Sequence, residues 1–226
     1  MYDVRIPNLR WLEEKGSLDA ILSADPAQEQ GLILFYGPSN FTRWKEKWLH
    51  RPMAEDIRMK DGSRAVVNHG FGTSSAEELL YYYPRLVRPW NPRALVLATG
   101  NNWSYGYTAS EVAFMMFRIL EWARKDFPGI KLFLEFGKPS PSIKNGSKST
   151  KSSLKEFNSI MRAYVAAHDD VVGIDGATFP ELFEPGHAGD PEYPRQELFV
   201  PDGVHYNQAG YDVYRDIYLK VLDELL

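Results

Sequence analysis

Short apolar runs alternate along the chain with longer segments in which apolar residues recur every three or four positions. A short run rich in β-branched and aromatic residues is typical of a buried strand, and the longer period is typical of a helix that packs on one side. Alternating strands and helices form a parallel sheet that is covered on both faces. The pattern therefore predicts an α/β fold, specifically a three-layer α/β/α sandwich around a five-stranded parallel sheet.

The pattern also predicts where the elements lie. The strands are predicted at 32–36, 65–68, 94–98, 131–135 and 171–174, and the main helices at 76–86, 110–125, 154–168 and 207–225. Ser110 is predicted to cap its helix, and the polar stretches 138–153 and 184–196 are predicted to be surface loops. The N-terminal segment is predicted to pack across the sheet edge through Leu9, Trp11, Leu12, Leu18, Ile21 and Leu22.

Length and composition narrow the class of protein. A chain of 226 residues fits one domain, predicted here as 1–226, and 25% charged residues are ordinary for a globular protein. The formal net charge of −4 gives no electrostatic reason to expect a nucleic-acid partner. The absence of cysteine excludes disulfides, cysteine catalysis and thiolate metal sites.

The N-terminal segment does not have the pattern of a targeting signal. The first residues carry charges in every turn, and no segment approaches the roughly 20 apolar residues of a membrane span. The sequence therefore predicts a cytoplasmic protein without a membrane span. A chain from which a signal peptide had been removed would look the same.

Four polar segments follow the predicted strands or precede the last helix. They are GPSN at 37–40, NHGFGTSS at 68–75, TGNNW at 99–103 and PDGVHYN at 201–207. Ligands of a doubly wound sheet bind at the carboxyl ends of its strands, where such loops converge. We therefore expect these segments to meet in one site.

Together the four segments contain the groups that a serine acyl-transfer site needs. A serine hydroxyl such as Ser39 is a weak nucleophile without a base, and His205 has the suitable pKa. Asp202 can hold the imidazole in one tautomer and balance its charge. The Asn102 amide and the backbone N–H groups of Ser39 and of the Gly72–Thr73 turn are candidate oxyanion donors.

The order of these blocks resembles that of the SGNH (GDSL-like) hydrolase family, with DGVHYNQAGY at 202–211 as the strongest match. The family's blocks supply a nucleophilic serine, a glycine, an asparagine and a histidine with its aspartate. The resemblance covers 37–205 and implies a flavodoxin-like fold and a serine esterase that needs neither cofactor nor metal. On this resemblance Ser39, Asp202 and His205 are catalytic, and Ser39, Gly72, Thr73 and Asn102 form the oxyanion hole.

Three residues depart from the family pattern. Pro38 precedes the serine and removes one backbone donor. Thr73 stands where the family commonly has its oxyanion glycine, and because threonine resists positive φ, either Gly72 or Thr73 remains the candidate donor. Trp103 replaces the aspartate that usually follows the asparagine, which places an indole at the mouth of the site.

Each candidate also has a structural interpretation. Ser39, Asn101, Asn102 and the Asp202–Gly203 pair are common turn residues. The other histidines show no metal-ligand spacing, and only His69 is predicted to neighbour the site; they are His50, His69, His168 and His187.

The loops predicted around Ser39 are polar and aromatic, which favours a small-molecule or carbohydrate ester as the substrate. The acyl group is predicted to be short, most simply acetyl. Trp44 and Trp103 are predicted to stack on the sugar. Two alternatives remain: a lysophospholipase- or thioesterase-type lipid hydrolase, and a carbohydrate-binding module that has lost catalysis. The sequence gives no oligomeric state.

Overall fold

The structure, a computed structural model, describes residues 15–99 and 106–226. It contains a five-stranded sheet in the order β2-β1-β3-β4-β5, in which every neighbouring pair is parallel. The strands are β1 Ile33–Gly37, β2 Val66–Gly70, β3 Ala94–Leu97, β4 Lys131–Glu135 and β5 Val171–Ile174. The predicted α/β fold is confirmed, and the strand order is that of the flavodoxin-like sheets.

Helices cover both faces of this sheet. The described helices are α1 Lys15–Ser23, α2 Ser39–Thr42, α3 Met53–Asp56, α4 Ala76–Leu86, α5 Ala109–Asp126, α6 Pro141–Lys144, α7 Lys148–Ala166 and α8 Gln208–Val221. A 3₁₀ turn, Asp223–Leu225, continues α8. Helices α4, α5 and α7 pack on one face, and α2, α3 and α8 contribute to the core on the other.

The side chains of β1 alternate between the two helical layers. Leu34 and Tyr36 point into the α4–α5–α7 layer, whereas Ile33 and Phe35 point into the α8 layer. All four side chains are fully buried. A strand that is buried on both faces reads as a continuous apolar run, which is why the sequence locates β1 so clearly.

The N-terminal end of α5 lies slightly before the prediction. Thr108 caps the helix, and not Ser110, because the Thr108 hydroxyl accepts from the Glu111 N–H while the Glu111 carboxylate accepts from the Thr108 N–H. This reciprocal pair satisfies two N–H groups at the helix start that would otherwise lack partners.

The prediction that 138–153 forms one loop is wrong. Ser140 caps α6 by accepting from the Ile143 N–H, and Ser147 caps α7 by accepting from the Thr150 N–H. The serines that suggested a loop are therefore the residues that begin two helices. The second loop, 184–196, is confirmed apart from an isolated bridge at Pro194 and the start of a 3₁₀ turn at Gln196.

Helix α1 lies at the edge of the sheet. It contacts the edge strand β2 and helix α4, with Leu18 buried and Ile21 packed against the core, whereas Leu22 is exposed. The predicted contacts of Leu9, Trp11 and Leu12 lie outside the described residues.

Candidate active site

Ser39 lies where the chain leaves β1 and enters α2. Its hydroxyl Oγ is 2.8 Å from Nε2 of His205, although the two residues are 166 positions apart in sequence. The carboxyl end of β1 is the point at which the sheet order reverses, since β2 and β3 lie on opposite sides of this strand. Ser39 therefore occupies the position where α/β sheets of this order bind ligands.

His205 is oriented by Asp202. Its Nδ1 lies 2.7 Å from Oδ2 of Asp202, while Oδ1 of the same carboxylate accepts from the backbone N–H groups of Val204 and His205 at 2.8 and 2.9 Å. The aspartate thus holds both the backbone turn and the imidazole ring. A hydroxyl bonded to an imidazole that is itself bonded to a carboxylate can give up its proton during attack on a carbonyl group.

Burial and charge set the protonation of this pair. Burial lowers the pKa of His205, and the positive charges of Arg43 and Lys138 lower it further, whereas the hydrogen bond that its Nδ1 donates to Asp202 acts to raise it. Burial acts to raise the pKa of Asp202, but the hydrogen bonds from His205 and Val204 outweigh it, and the pKa is lowered. The imidazole is therefore neutral, and the carboxylate charged, near pH 7.

The second predicted block begins beside β1. The N–H of Phe71 donates to the carbonyl of Gly37 at 3.1 Å, so the loop that carries Gly72 and Thr73 starts against the end of β1, the strand that precedes Ser39. Thr73 has φ of 60°, in the left-handed region that β-branched residues seldom adopt. Such strain persists only where the surroundings impose it, and it marks Thr73 as the unusual residue of this loop. Asn102 and Trp103 lie outside the described residues.

Trp44 does not face the site, which corrects the predicted stacking role. Its side chain is 1% exposed, its Nε1 donates to Oδ2 of Asp56 at 2.8 Å, and its ring packs on Tyr211 and Tyr218. An indole enclosed in this way has no free face for a sugar. A nearby indole in the described part of the chain that keeps some exposure is Trp48, which packs under the guanidinium of Arg43 with 4.4 Å between the Arg43 Cζ and the ring centroid.

His69 is also a core residue and not a neighbour of Ser39. Its Nδ1 lies 2.6 Å from the carbonyl of Leu86, and its ring meets Trp90 edge-on. It pairs in register with Tyr36, whose side chain points into the α4–α5–α7 layer. The loop at 201–207 is called the base loop here after the predicted base His205, and its Tyr206 packs in the α8 layer. The alternation of strand residues therefore places His69 on the face opposite to the base loop.

Three polar residues around the site were missed by the sequence analysis. Arg43 lies 3.5 Å from Oδ2 of Asp202. Lys138 donates from Nζ to Oδ1 of Asn40 at 2.8 Å and to the carbonyl of Val204 at 3.0 Å. Their positions in the sequence could have indicated two of them, because Asn40 follows Ser39 and Lys138 follows β4 at the same edge of the sheet.

Residues 15–99 and 106–226 contain no group of three or more His, Asp or Glu side chains placed to hold a metal ion. Within the same ranges, every helix is too short or too polar to cross a bilayer.

Comparison with solved structures finds several proteins of similar fold. A Streptococcus pneumonia protein provisionally described as a platelet activating factor is 17% identical with a TM-score of 0.70, over 96% of this chain and 95% of the other. A GDSL-like lipase from Bacteroides thetaiotaomicron is 15% identical with a TM-score of 0.69, over 94% and 98%. A lipase/acylhydrolase from Enterococcus faecalis is 20% identical with a TM-score of 0.64, over 86% and 96%.

Sequence comparison gives the family. A search of curated proteins finds no match. The sequence model of the GDSL-like Lipase/Acylhydrolase family matches residues 35–213, which include every described residue of the predicted site. The chain therefore belongs to the GDSL-like lipase/acylhydrolase family and is a serine ester hydrolase.

Proposed function

We propose that this protein hydrolyses short-chain acyl esters through a Ser39–His205–Asp202 triad and an acyl-enzyme intermediate. The single observation that carries the proposal is the continuous hydrogen-bonded path from the Ser39 hydroxyl to the Asp202 carboxylate, with links of 2.8 and 2.7 Å. These distances are within the range at which a histidine acts as a general base.

In the proposed reaction, Ser39 Oγ attacks the ester carbonyl carbon while Nε2 of His205 takes the hydroxyl proton. The tetrahedral intermediate collapses, the bond from carbon to the alcohol oxygen breaks, and the alcohol leaves with the proton from His205. Water then attacks the acyl-enzyme, His205 takes its proton, and the acid is released as Ser39 regains a proton.

The proposed oxyanion hole consists of the N–H groups of Ser39 and of Gly72 or Thr73, with the Asn102 amide. The position of the Phe71–Thr73 loop against the end of β1 supports the backbone part of this assignment. A left-handed residue redirects its peptide groups relative to an extended strand, so the φ of 60° at Thr73 favours Thr73 as the donor. Each such donor is commonly worth about 10²–10³ in rate.

The polarity of the chain beyond Ser39 supports a short acyl group. Phe41 and Trp44 are buried beneath it, whereas Arg43 and Lys45 remain partly exposed. Leu49 is 92% exposed, but one leucine does not make a groove. A long acyl chain would require a continuous apolar groove, because each buried methylene contributes about 0.8 kcal/mol.

We propose an acetyl ester of a carbohydrate as the substrate within this class. The polar character of the segments after β1 and before α8 supports it, since sugar hydroxyls need hydrogen-bonding partners. The buried Trp44 gives it no support. Stacking by Trp103 stays a prediction.

Two experiments test the proposal, the first on the nucleophile and the second on the substrate class. We expect Ser39→Ala to lower kcat on the order of 10⁶-fold with an unchanged circular dichroism spectrum, because the covalent nucleophile is lost. Ser152→Ala, which changes an exposed serine on α7, is the matched control and should leave kcat unchanged. An active Ser39→Ala enzyme would exclude the proposed nucleophile.

The wild-type protein is then tested on p-nitrophenyl acetate, butyrate and octanoate, and on acetylated xylo- and manno-oligosaccharides. We expect kcat/KM to fall with chain length and acetate to be released from a sugar. If octanoate is the best ester and no sugar releases acetate, the substrate is a lipid or thioester and the carbohydrate proposal is wrong.

A further inference from the structure

Lys138 lies at the carboxyl end of β4, three residues beyond the last strand residue, Glu135. Its side chain extends under the site and is partly buried. Lysine is costly to bury because its ammonium group loses water, so a buried lysine needs specific partners. Those partners are on the two segments that carry Ser39 and His205.

The ammonium group makes three contacts. One proton is donated to Oδ1 of Asn40, the residue after Ser39, at 2.8 Å. Another is donated to the carbonyl of Val204, the residue before His205, at 3.0 Å. The Nζ atom also lies 3.7 Å from the ring centroid of Tyr206, the residue after His205. Lys138 therefore connects the nucleophile segment to both sides of the base.

The segment that carries Lys138 is itself anchored. The amide side chain of Asn158 on α7 donates to the Gly137 carbonyl at 2.9 Å and accepts from the Gly137 N–H at 2.8 Å. The N–H of Ser142 donates to the carbonyl of Gly203 in the base loop at 2.9 Å. The lysine thus reaches the site from a fixed backbone and not from a free loop.

The charges around Lys138 and His205 come from several elements. Burial lowers the pKa of Lys138. The negative charges of Glu135 on β4 and of Asp202 in the base loop attract the ammonium group and partly offset this lowering. Glu135 is buried and accepts a hydrogen bond from the hydroxyl of Tyr218 on α8. His205 faces Asp202, and the positive charges of Arg43 on the segment after α2 and of Lys138 both act on it.

We propose that Lys138 is a positioning residue for the esterase reaction, which holds the Ser39 hydroxyl and the His205 imidazole at reacting distance by bonding to Asn40 and Val204. The inference rests on the proposed function. Ser39 and His205 are 166 residues apart in the chain and meet through their side chains. Small displacements of reacting groups lower the reaction rate by large factors. The charge of Lys138 has a second consequence, because a nearby cation disfavours the imidazolium form and keeps the base neutral to lower pH.

The test compares three substitutions of Lys138 with a control. Lys138→Met removes both hydrogen bonds and the charge, Lys138→Gln keeps a donor without charge, and Lys138→Arg keeps the charge on a planar group of different geometry. Lys131→Met, at the opposite end of β4 and exposed, is the matched control. For each variant we would measure kcat, KM, the pH profile of kcat/KM, and urea unfolding.

For Lys138→Met we expect kcat to fall about 10- to 100-fold with little change in KM, and the acidic limb of the pH profile to move to higher pH. Lys138→Arg should retain the position of the limb while kcat falls, and Lys138→Gln should show the shifted limb with a smaller loss of kcat. Lys131→Met should match the wild type. A purely structural role would lower the stability of the variants without moving the limb.

Two results separate this inference from the proposed function. If Ser39→Ala retains turnover, both the proposed function and the proposed role of Lys138 are wrong. If turnover depends on Ser39 but Lys138→Met keeps kcat within twofold and the same pH profile, only the role of Lys138 is wrong. Failure of all three variants to fold would show that Lys138 serves folding, which also overturns the positioning role.

Discussion

At the scale of single residues, the carboxylate of Asp202 performs two tasks with its two oxygens. Oδ1 accepts from the N–H groups of Val204 and His205, and Oδ2 lies 2.7 Å from Nδ1 of His205. The first oxygen shapes the turn and the second selects the tautomer of the ring. A substitution can remove the selection of the His205 tautomer and keep the hydrogen bonds to the two backbone N–H groups.

Asp202→Asn should do so. The Asn oxygen can still accept the two backbone N–H groups, but its amide nitrogen donates toward Nδ1, which then must accept and leaves the proton on Nε2. That imidazole cannot take the Ser39 proton, so we expect kcat to fall on the order of 10⁴-fold with unchanged unfolding by urea. Asp169→Asn, in an exposed turn, is the control, and a loss below tenfold for Asp202→Asn would contradict the assigned role.

The pH dependence follows from the burial of His205. As the proposed base, His205 must be neutral to act, so kcat/KM should rise with pH through the pKa of His205 in the free enzyme. Because burial lowers that pKa, we expect the limb below the ordinary histidine value of about 6.5. Initial rates between pH 4 and 8 measure it, and a limb above pH 7 would disagree with the buried, cation-flanked environment.

At the scale of elements, α2 depends on its surroundings, since a helix of four residues is not stable alone. The side-chain amide of Asn68 on β2 donates to the Phe41 carbonyl at 2.7 Å, and the hydroxyl of Tyr211 on α8 donates to the Asn40 carbonyl at 2.9 Å. Helix α8 also begins just after the base loop. The same helix therefore supports the segment that carries Ser39 and follows His205.

Gly70 at the end of β2 allows α2 to lie this close. A Cβ atom at Gly70 would be 2.5 Å from both the Phe41 Cβ and the Thr42 N, and backbone cannot move aside as a flexible side chain can. We expect Gly70→Ala to cost about 1–3 kcal/mol in the free energy of unfolding and to lower kcat by displacing Ser39. Gly31→Ala, before β1 at the other end of the sheet, should affect stability alone.

Equal kcat values for Gly70→Ala and the wild type would show that α2 can shift without moving the hydroxyl. Urea unfolding and steady-state kinetics on p-nitrophenyl acetate measure the two effects separately.

At the scale of the whole molecule, two apolar clusters share one sheet, so we expect residues 15–226 to unfold as a single domain. His69 lies inside one of these clusters, where burial lowers its pKa to about 4. Above pH 6.5 the residue is neutral in both folded and unfolded chains. As the pH falls toward 4, only the unfolded chain gains the proton, and stability is lost.

The shift corresponds to about 3 kcal/mol of unfolding free energy, since one pKa unit is about 1.4 kcal/mol. Urea unfolding at pH 7 and at pH 4.5 should therefore show a smaller pH-dependent loss in His69→Gln than in the wild type. His187→Gln, on the 184–196 loop, is the control and should behave as the wild type does. Equal losses in all three proteins would mean that His69 does not carry the acid sensitivity.

The sequence by itself determined the five strands, the positions of the long helices and most of the candidate site. Strands such as β4, predicted and found at 131–135, are set by local apolar runs, and α4 is set by its period and its Ser75 capping box. Ser39 was predicted because ligand-binding groups in such sheets follow strand ends, and His205 was predicted from its spacing with Asp202 before the last helix. The described structure brings these two side chains together, while Asn102 and Trp103 stay predictions.

Only the tertiary structure decided which way individual side chains face and what they meet. Trp44 and His69 lie beside the site in sequence, yet long-range packing places both in the core. The serines of 138–153 cap helices because α6 and α7 pack against the rest of the chain, which their polar composition concealed. Lys138 contacts Asn40 and Val204 because β4 lies between β3 and β5 in the sheet. These contacts join residues that are 98 and 66 positions apart, so no local sequence pattern indicates them.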